Sequence, residues 1–142
     1  MALGDILRQA AIKQANFTAL MQDFGKTTKT TFYSDYTIAD LCGGVKAVKD
    51  TYNRSVKEWL NNIEYITEMY IVLNHKIWEH YESNEELARC YNDLWEDLYS
   101  KITEHYANDD EKLSYFYSES DKKIWKLRKF YLHLHIVKTI KI

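Results

Sequence analysis

The stretch VKAVKDTYNRSVKEWLNNIEYITEMYIVLNHKIWEHY, residues 45–81, decides the fold. Val45, Val48, Tyr52, Val56, Trp59, Ile63, Ile66, Tyr70, Leu73, Ile77 and Tyr81 follow one another at steps of three or four. Steps of that size hold side chains on one stripe of an α-helix. Read as one helix, the stretch is about 55 Å long. Asn61-Asn62 is its weakest point, the place for a kink. Met69, Ile71, Val72 and Trp78 add apolar side chains on other faces, which predicts that the second half is buried on several sides.

Upstream, Leu3, Leu7, Ala10, Gln14, Phe17, Met21 and Phe24 share a helical stripe, widened by Ile6, Ala11 and Leu20, and Gly25 suits a helix end. Lys26–Ser34 is rich in threonine and reads as a linker or short extended segment. Thr37 with Asp40 predicts the start of a short helix that Gly43-Gly44 stops. Downstream, Ser83 with Glu86 is a reciprocal N-cap pattern. Leu87, Tyr91, Leu94, Leu98 and Ile102 then line an inner face. Asn108-Asp109-Asp110 and Ser120-Asp121 predict two further helix starts. From Phe130 to Ile142 helical and alternating patterns compete, leaving helix to His135 and an end open to either state.

Composition agrees with this reading. The chain has 142 residues, 46% hydrophobic and 28% charged, enough for one sizeable core. It contains no proline, which permits long helices. The fold class expected is all-α: a compact bundle around one long central helix, in a single domain over 1–142. Its parts are an N-terminal helix (1–25), a linker (26–36), a core (37–121) and a basic C-terminal segment (122–142). Cys42 and Cys90 read as reduced core thiols. No apolar run approaches the roughly 20 residues of a membrane span, and Met1–Phe24 is too polar for a signal peptide. The compartment expected is the cytoplasm.

Charge is unevenly spread around a net −2. Eleven acids face two bases between Glu79 and Glu111, whereas Lys122–Ile142 holds seven bases and no acid. Glu82, Glu86, Asp93, Asp97 and Glu104 fall on one stripe. Carboxylates at i, i+4 lie about 6 Å apart along a helix, close to the spacing of phosphates on a nucleic-acid strand. Such a stripe is fit to occupy a basic groove on a protein partner, and an ordinary solvated face is the plainer reading. Tyr33, Tyr36, Tyr115 and Tyr117 lie at segment ends, where an exposed anchor cluster would sit.

Chemistry finds less support. Gly25-Lys26-Thr27 has the ending of a phosphate-binding loop, but Leu20 stands where the motif needs glycine, and a helix stands where it needs a strand. His75 and Glu79 share a helix face, yet two ligands do not make a zinc site. His80 points elsewhere, and His133 and His135 share a face only in a strand. Neither cysteine has a base beside it in sequence. No catalytic residue, cofactor or metal is therefore expected. Ile38–Trp59 has a faint helix-turn-helix pattern carrying Lys46, Lys49, Arg54 and Lys57, but Asp40, Asp50 and Glu58 lie in the same span.

Four strings carry a resemblance: Thr31-Phe32-Tyr33-Ser34-Asp35-Tyr36-Thr37-Ile38-Ala39-Asp40, Ala47-Val48-Lys49-Asp50-Thr51-Tyr52-Asn53-Arg54, Val72-Leu73-Asn74-His75-Lys76-Ile77-Trp78 and Leu113-Ser114-Tyr115-Phe116-Tyr117. Over Thr31–Asp121 the chain resembles a family of small, uncharacterised helical proteins of phages and prophages of Gram-positive bacteria. The resemblance implies an accessory protein in the host cytoplasm and no established chemistry. By analogy with other small phage proteins, the partner expected is a host or defence protein, such as an RNA-guided nuclease blocked in anti-CRISPR fashion. The alternatives are a nucleic-acid-binding factor using the basic segments, and a structural protein forming homo-oligomers through its N- or C-terminal stripe.

Overall fold

In the computed structural model, which describes residues 2–22 and 30–140 and the side chains of all but 22, 126 and 130–140 among them, six helices follow one another. They are α1 (Leu3–Gln22), α2 (Phe32–Cys42), α3 (Gly44–Trp59), α4 (Ile63–His80), α5 (Glu85–His105) and α6 (Asp110–Ile140). The all-α bundle expected from the rhythm of the sequence is what the chain forms; no strand occurs among the described residues. The end expected at Gly25 and the linker residues 26–29 lie outside the described residues. None of the described helices is long and apolar enough to cross a membrane.

The single 55 Å helix is corrected. The stretch 45–81 divides at Asn61-Asn62 into α3 and α4. Asn62 adopts an extended backbone, and its side-chain oxygen accepts a hydrogen bond from the Tyr65 amide at 3.1 Å. An asparagine that satisfies a first-turn N–H starts a new helix instead of continuing the old one. The stripe stays in phase across the break because both halves pack on the same core. Val48, Tyr52 and Val56 of α3 and Ile66, Met69, Tyr70 and Leu73 of α4 are all buried.

Three other boundaries shift. α2 begins at Phe32, so Thr37 is inside a helix, where its hydroxyl donates to the Tyr33 carbonyl at 2.9 Å. Apolar burial of Phe32, Tyr33 and Tyr36 outweighs the weak helix propensity before them. Ser120 does not start a new helix; α6 runs on to Ile140, and Ser120 turns its hydroxyl to the Phe116 carbonyl. The strand alternative at the C-terminus fails because a lone strand has no ladder to join. α5 is capped by Asn84 in place of Ser83, with Asn84 Oδ1 accepting from the Leu87 amide at 3.1 Å. Asn84→Ala is expected to cost about 1 kcal/mol, read as a lowered urea midpoint with an unchanged slope.

α4 is the middle of the bundle. It packs against α5 and α6, and also meets α2 and α3. Residues 69–76 form an unbroken buried run, as the all-round apolar pattern predicts. The α2–α3 corner is tight. Gly44 has φ +63°, a backbone that L side chains rarely adopt, and a Cβ on Gly43 would meet the Ala47 Cβ at 2.6 Å. α1 lies on α2 and turns Ile6, Ala10, Phe17 and Met21 inward. Leu3 and Leu7 do not join them. Leu7 sits about 60° around the helix from Ala10 and faces solvent. Of the two thiols expected in the core, Cys90 is buried and Cys42, at the end of α2, is exposed.

Candidate functional site

The charged centre of the molecule is Lys76. It stands about one turn before the C-terminal end of α4 and has no solvent exposure. Its ammonium donates to Thr37 Oγ1 at 2.9 Å, Asp40 Oδ2 at 2.9 Å and Glu79 Oε2 at 2.7 Å. Three N–H groups thus meet three acceptors, and the full donor capacity of the group is spent. Thr37 and Asp40 come from α2, one turn apart, and Glu79 lies one turn on from Lys76. The ammonium also sits 4.6 Å from the centroid of the Tyr33 ring.

A second layer closes around Asp40. His80 Nε2 lies 2.8 Å from Asp40 Oδ2, and the Tyr91 hydroxyl donates to Asp40 Oδ1 at 2.5 Å. A carboxylate only accepts, so the shared proton is carried on Nε2. The His80 and Tyr91 rings stack at 5.7 Å, nearly parallel. Burial, and then the Asp40 charge, push the Tyr91 hydroxyl far up, so it remains a donor. One carboxylate thereby joins α2, α4 and α5.

Glu79 is the other anion. Burial would raise its pKa, but the Lys76 charge and hydrogen bond, with the Tyr33 hydroxyl donating to Oε1, lower it to about 2. His75, one turn before Glu79, is packed edge-on to Phe17 and Tyr33 at 5.2 and 5.1 Å. Burial lowers its pKa to about 4, so it is neutral near pH 7. Phe17, Tyr33, His75 and Glu79, with Lys13 and Asn16 of α1, line an open cleft of about 480 Å³.

Asp40, Glu79 and His80 bring their ligand atoms within 4.8 Å of one another, the spacing of a metal site. Lys76 Nζ, however, bonds both carboxylates of that set. The chain's own cation supplies the positive charge that a metal would bring. The cluster is an ionic clasp between helices, and its amine is tied on all three sides instead of being offered to a substrate.

The sequence reading singled out none of Lys76, Asp40 and Tyr91 as a site, and it treated His80 as pointing away. A signal was present: Met69, Leu73, Lys76 and His80 step by four, three and four, so a lysine stands in core register of a largely apolar helix. Asp40 follows Tyr36 by one turn in the same way.

The surface residues sort differently. Glu86, Asp93, Asp97 and Glu104 are all exposed on α5, within about 40° of one another around the helix. Glu82, also exposed, lies in the turn before it. Asp97 accepts from Tyr52 of α3 at 2.6 Å and from Lys101 at 2.5 Å; these bonds outweigh its burial and lower its pKa. The anchor cluster of four tyrosines does not form. Tyr33 and Tyr36 are 4% and 0% exposed, because α2 starts before them and turns both rings into the bundle. Tyr115 is half-buried, and Tyr117 is exposed beside Tyr99 of α5. On α3, Lys46, Lys49, Arg54 and Lys57 are exposed among Asp50 and Glu58. Gly43 alone joins α2 to α3, shorter than the three- or four-residue turn of a DNA-reading helix pair. Compared with family models, with curated proteins and with solved structures, the chain matches none.

Proposed function

We propose that this is a binding protein, not an enzyme, and that it presents the outer face of α5 to a basic, nucleic-acid-binding groove on a partner protein. The observation that carries the reading is the row Glu86, Asp93, Asp97 and Glu104, four exposed carboxylates at helical spacing on α5, with exposed Glu82 in the turn before it. A rigid row of anions complements a groove built for phosphates, speeds encounter and disfavours acidic partners. With the resemblance to phage accessory proteins, the partner class is a host or defence protein that handles nucleic acid, an RNA-guided nuclease among them, and the outcome of binding is inhibition. The Lys76 clasp is compatible with this role, since its ammonium is spent on Thr37, Asp40 and Glu79.

The test uses the triple variant Glu86→Lys, Asp93→Lys, Glu104→Lys. Asp97 is left alone because its bond to Tyr52 ties α5 to α3. Wild-type protein immobilised as bait is expected to retain nucleic-acid-binding proteins from host lysate, to release them when duplex DNA is added, and to lose at least tenfold of that capture in the triple variant. Equal capture by both forms, with equal helicity by circular dichroism, would remove α5 as the binding face.

A further inference from the structure

We propose that the groove between α5 and α6 receives an arginine side chain, supplied by the basic partner proposed above. α5 and α6 both pack on α4 and scarcely on each other. α4 therefore floors a groove between them. Tyr70 stands in that floor, its ring stacked on Trp95 of α5 at 5.3 Å and edge-on to Phe116 of α6 at 5.0 Å. Tyr99 of α5 and Tyr117 of α6 form the rim, with ring centroids 6.4 Å apart and planes tilted by 48°. The tyrosine and tryptophan side chains left in water among the described residues are Tyr81, Tyr99, Tyr117 and Trp125. Two of them thus meet over one groove, and exposed rings gathered in one place mark a contact surface. An open hollow of about 510 Å³ adjoins the rim along α6, and its lining includes Leu113, Tyr117 and the carboxylates Asp110 and Asp121 but no base.

Two further observations give the chemistry of the occupant. Glu96 stands about one turn before Tyr99 on α5, and Asp121 about one turn after Tyr117 on α6, both exposed. Neither has an ion pair among the described residues. The bases next to them do not answer: Lys101 bonds Asp97, and Lys122 points about 100° away from Asp121 around α6. The second observation is the Tyr70 hydroxyl. Tyr70 is 7% exposed, and its hydroxyl has no hydrogen bond among the described residues. Burial, then Tyr99 and the charges of Asp121 and Glu96, push its pKa well up, so the hydroxyl lies in the field of both carboxylates. A polar group held this deep calls for a partner. A cation with N–H groups satisfies the carboxylates and the Tyr70 oxygen together. The rings select guanidinium over ammonium. Guanidinium is flat and weakly hydrated, and it stacks on a tyrosine face while its edge donates to carboxylates. Ammonium is a compact, strongly hydrated charge. Phosphates are repelled by the same two carboxylates.

Glu96 and Tyr99 lie about 80° and 140° around α5 from the outer carboxylate row, so the groove is a contact beside that row. The source of the arginine rests on the proposed function, whereas the groove is testable without any partner. The probes are capped Gly-Arg-Gly and Gly-Lys-Gly tripeptides, followed by nuclear magnetic resonance at the backbone amides of α5 and α6 and at the rings of Tyr99 and Tyr117. Both rings are expected to shift, and the arginine peptide to bind about threefold more tightly than the lysine one. Tyr99→Leu with Tyr117→Leu is expected to make the two affinities equal at unchanged helicity, whereas Tyr99→Phe with Tyr117→Phe keeps the preference. Glu96→Gln with Asp121→Asn is expected to weaken both peptides. The outer-face variant Glu86→Lys, Asp93→Lys, Glu104→Lys should keep the arginine preference even where it loses capture from lysate. Equal affinity of the wild-type protein for both peptides, shifts that miss Tyr99 and Tyr117, tighter binding of a single-stranded oligonucleotide, or a preference that survives the leucine pair would each overturn the proposal.

Discussion

Lys76→Met is expected to cost the fold about 3–5 kcal/mol, the usual penalty when one partner of a buried ion pair is removed and the other charge stays behind. The reason is local. Asp40 and Glu79 are 5% and 19% exposed at the side chain, and the Lys76 ammonium is bonded to both. Methionine fills the volume but offers no N–H, leaving two carboxylates to face each other out of water. If the loss comes from stranded charge and not from packing, neutralising the anions should recover part of it. Lys76→Met with Asp40→Asn and Glu79→Gln is then expected to be more stable than Lys76→Met alone. Urea denaturation followed by circular dichroism measures all of these. A triple variant less stable than the single one would show that the clasp acts through hydrogen bonds and shape, not through charge balance.

Acid is expected to weaken the protein in two stages. His75 has a pKa of about 4 in the fold against 6.5 unfolded, because burial disfavours its charged form. Below pH 6.5 the unfolded chain binds a proton that the folded chain refuses, so stability falls as the pH drops from 6.5 towards 4. Glu79 is lowered from 4.5 to about 2 by Lys76 and Tyr33, against the opposing effect of burial. Its contribution is whole above pH 4.5 and is lost as the pH falls through 2. Each stage is on the order of 3 kcal/mol at full extent, at 1.36 kcal/mol per unit. His75→Gln should flatten the first stage and leave the second. The measurement is the urea midpoint from pH 8 to pH 2.5. An unaltered slope between pH 6.5 and 4.5 in the variant would assign the loss to other groups.

These two residues also mark the limit of what the sequence makes legible. The rhythm of Val48, Tyr52, Val56, Ile66, Tyr70 and Leu73 was enough for an all-α bundle, since burial of one stripe is a local property of a helix. Helix ends were less legible. Asn62 and Asn84 make their caps with one side-chain hydrogen bond each, and Ser83 offered an equally good pattern one residue away. The clasp was illegible for a different reason. Asp40 and Lys76 are 36 positions apart, and their pairing depends on how α2 crosses α4, which no spacing along the chain encodes. Tyr33 and Tyr36 were misread for the same cause: an aromatic at a segment end is inside or outside according to what packs over it. The carboxylates of α5 came out in register because four of the five share one helix with the spacing that defines the face.

The most direct test of the α5 face is amide hydrogen exchange on the protein alone and in complex with the partner that the bait retains. Exchange over residues 82–104 is expected to slow in the complex, most at the Glu86, Asp93 and Glu104 turns, while α3 keeps its free rate. Protection confined to other helices, with 82–104 unchanged, would contradict the assignment of those carboxylates as the recognition surface.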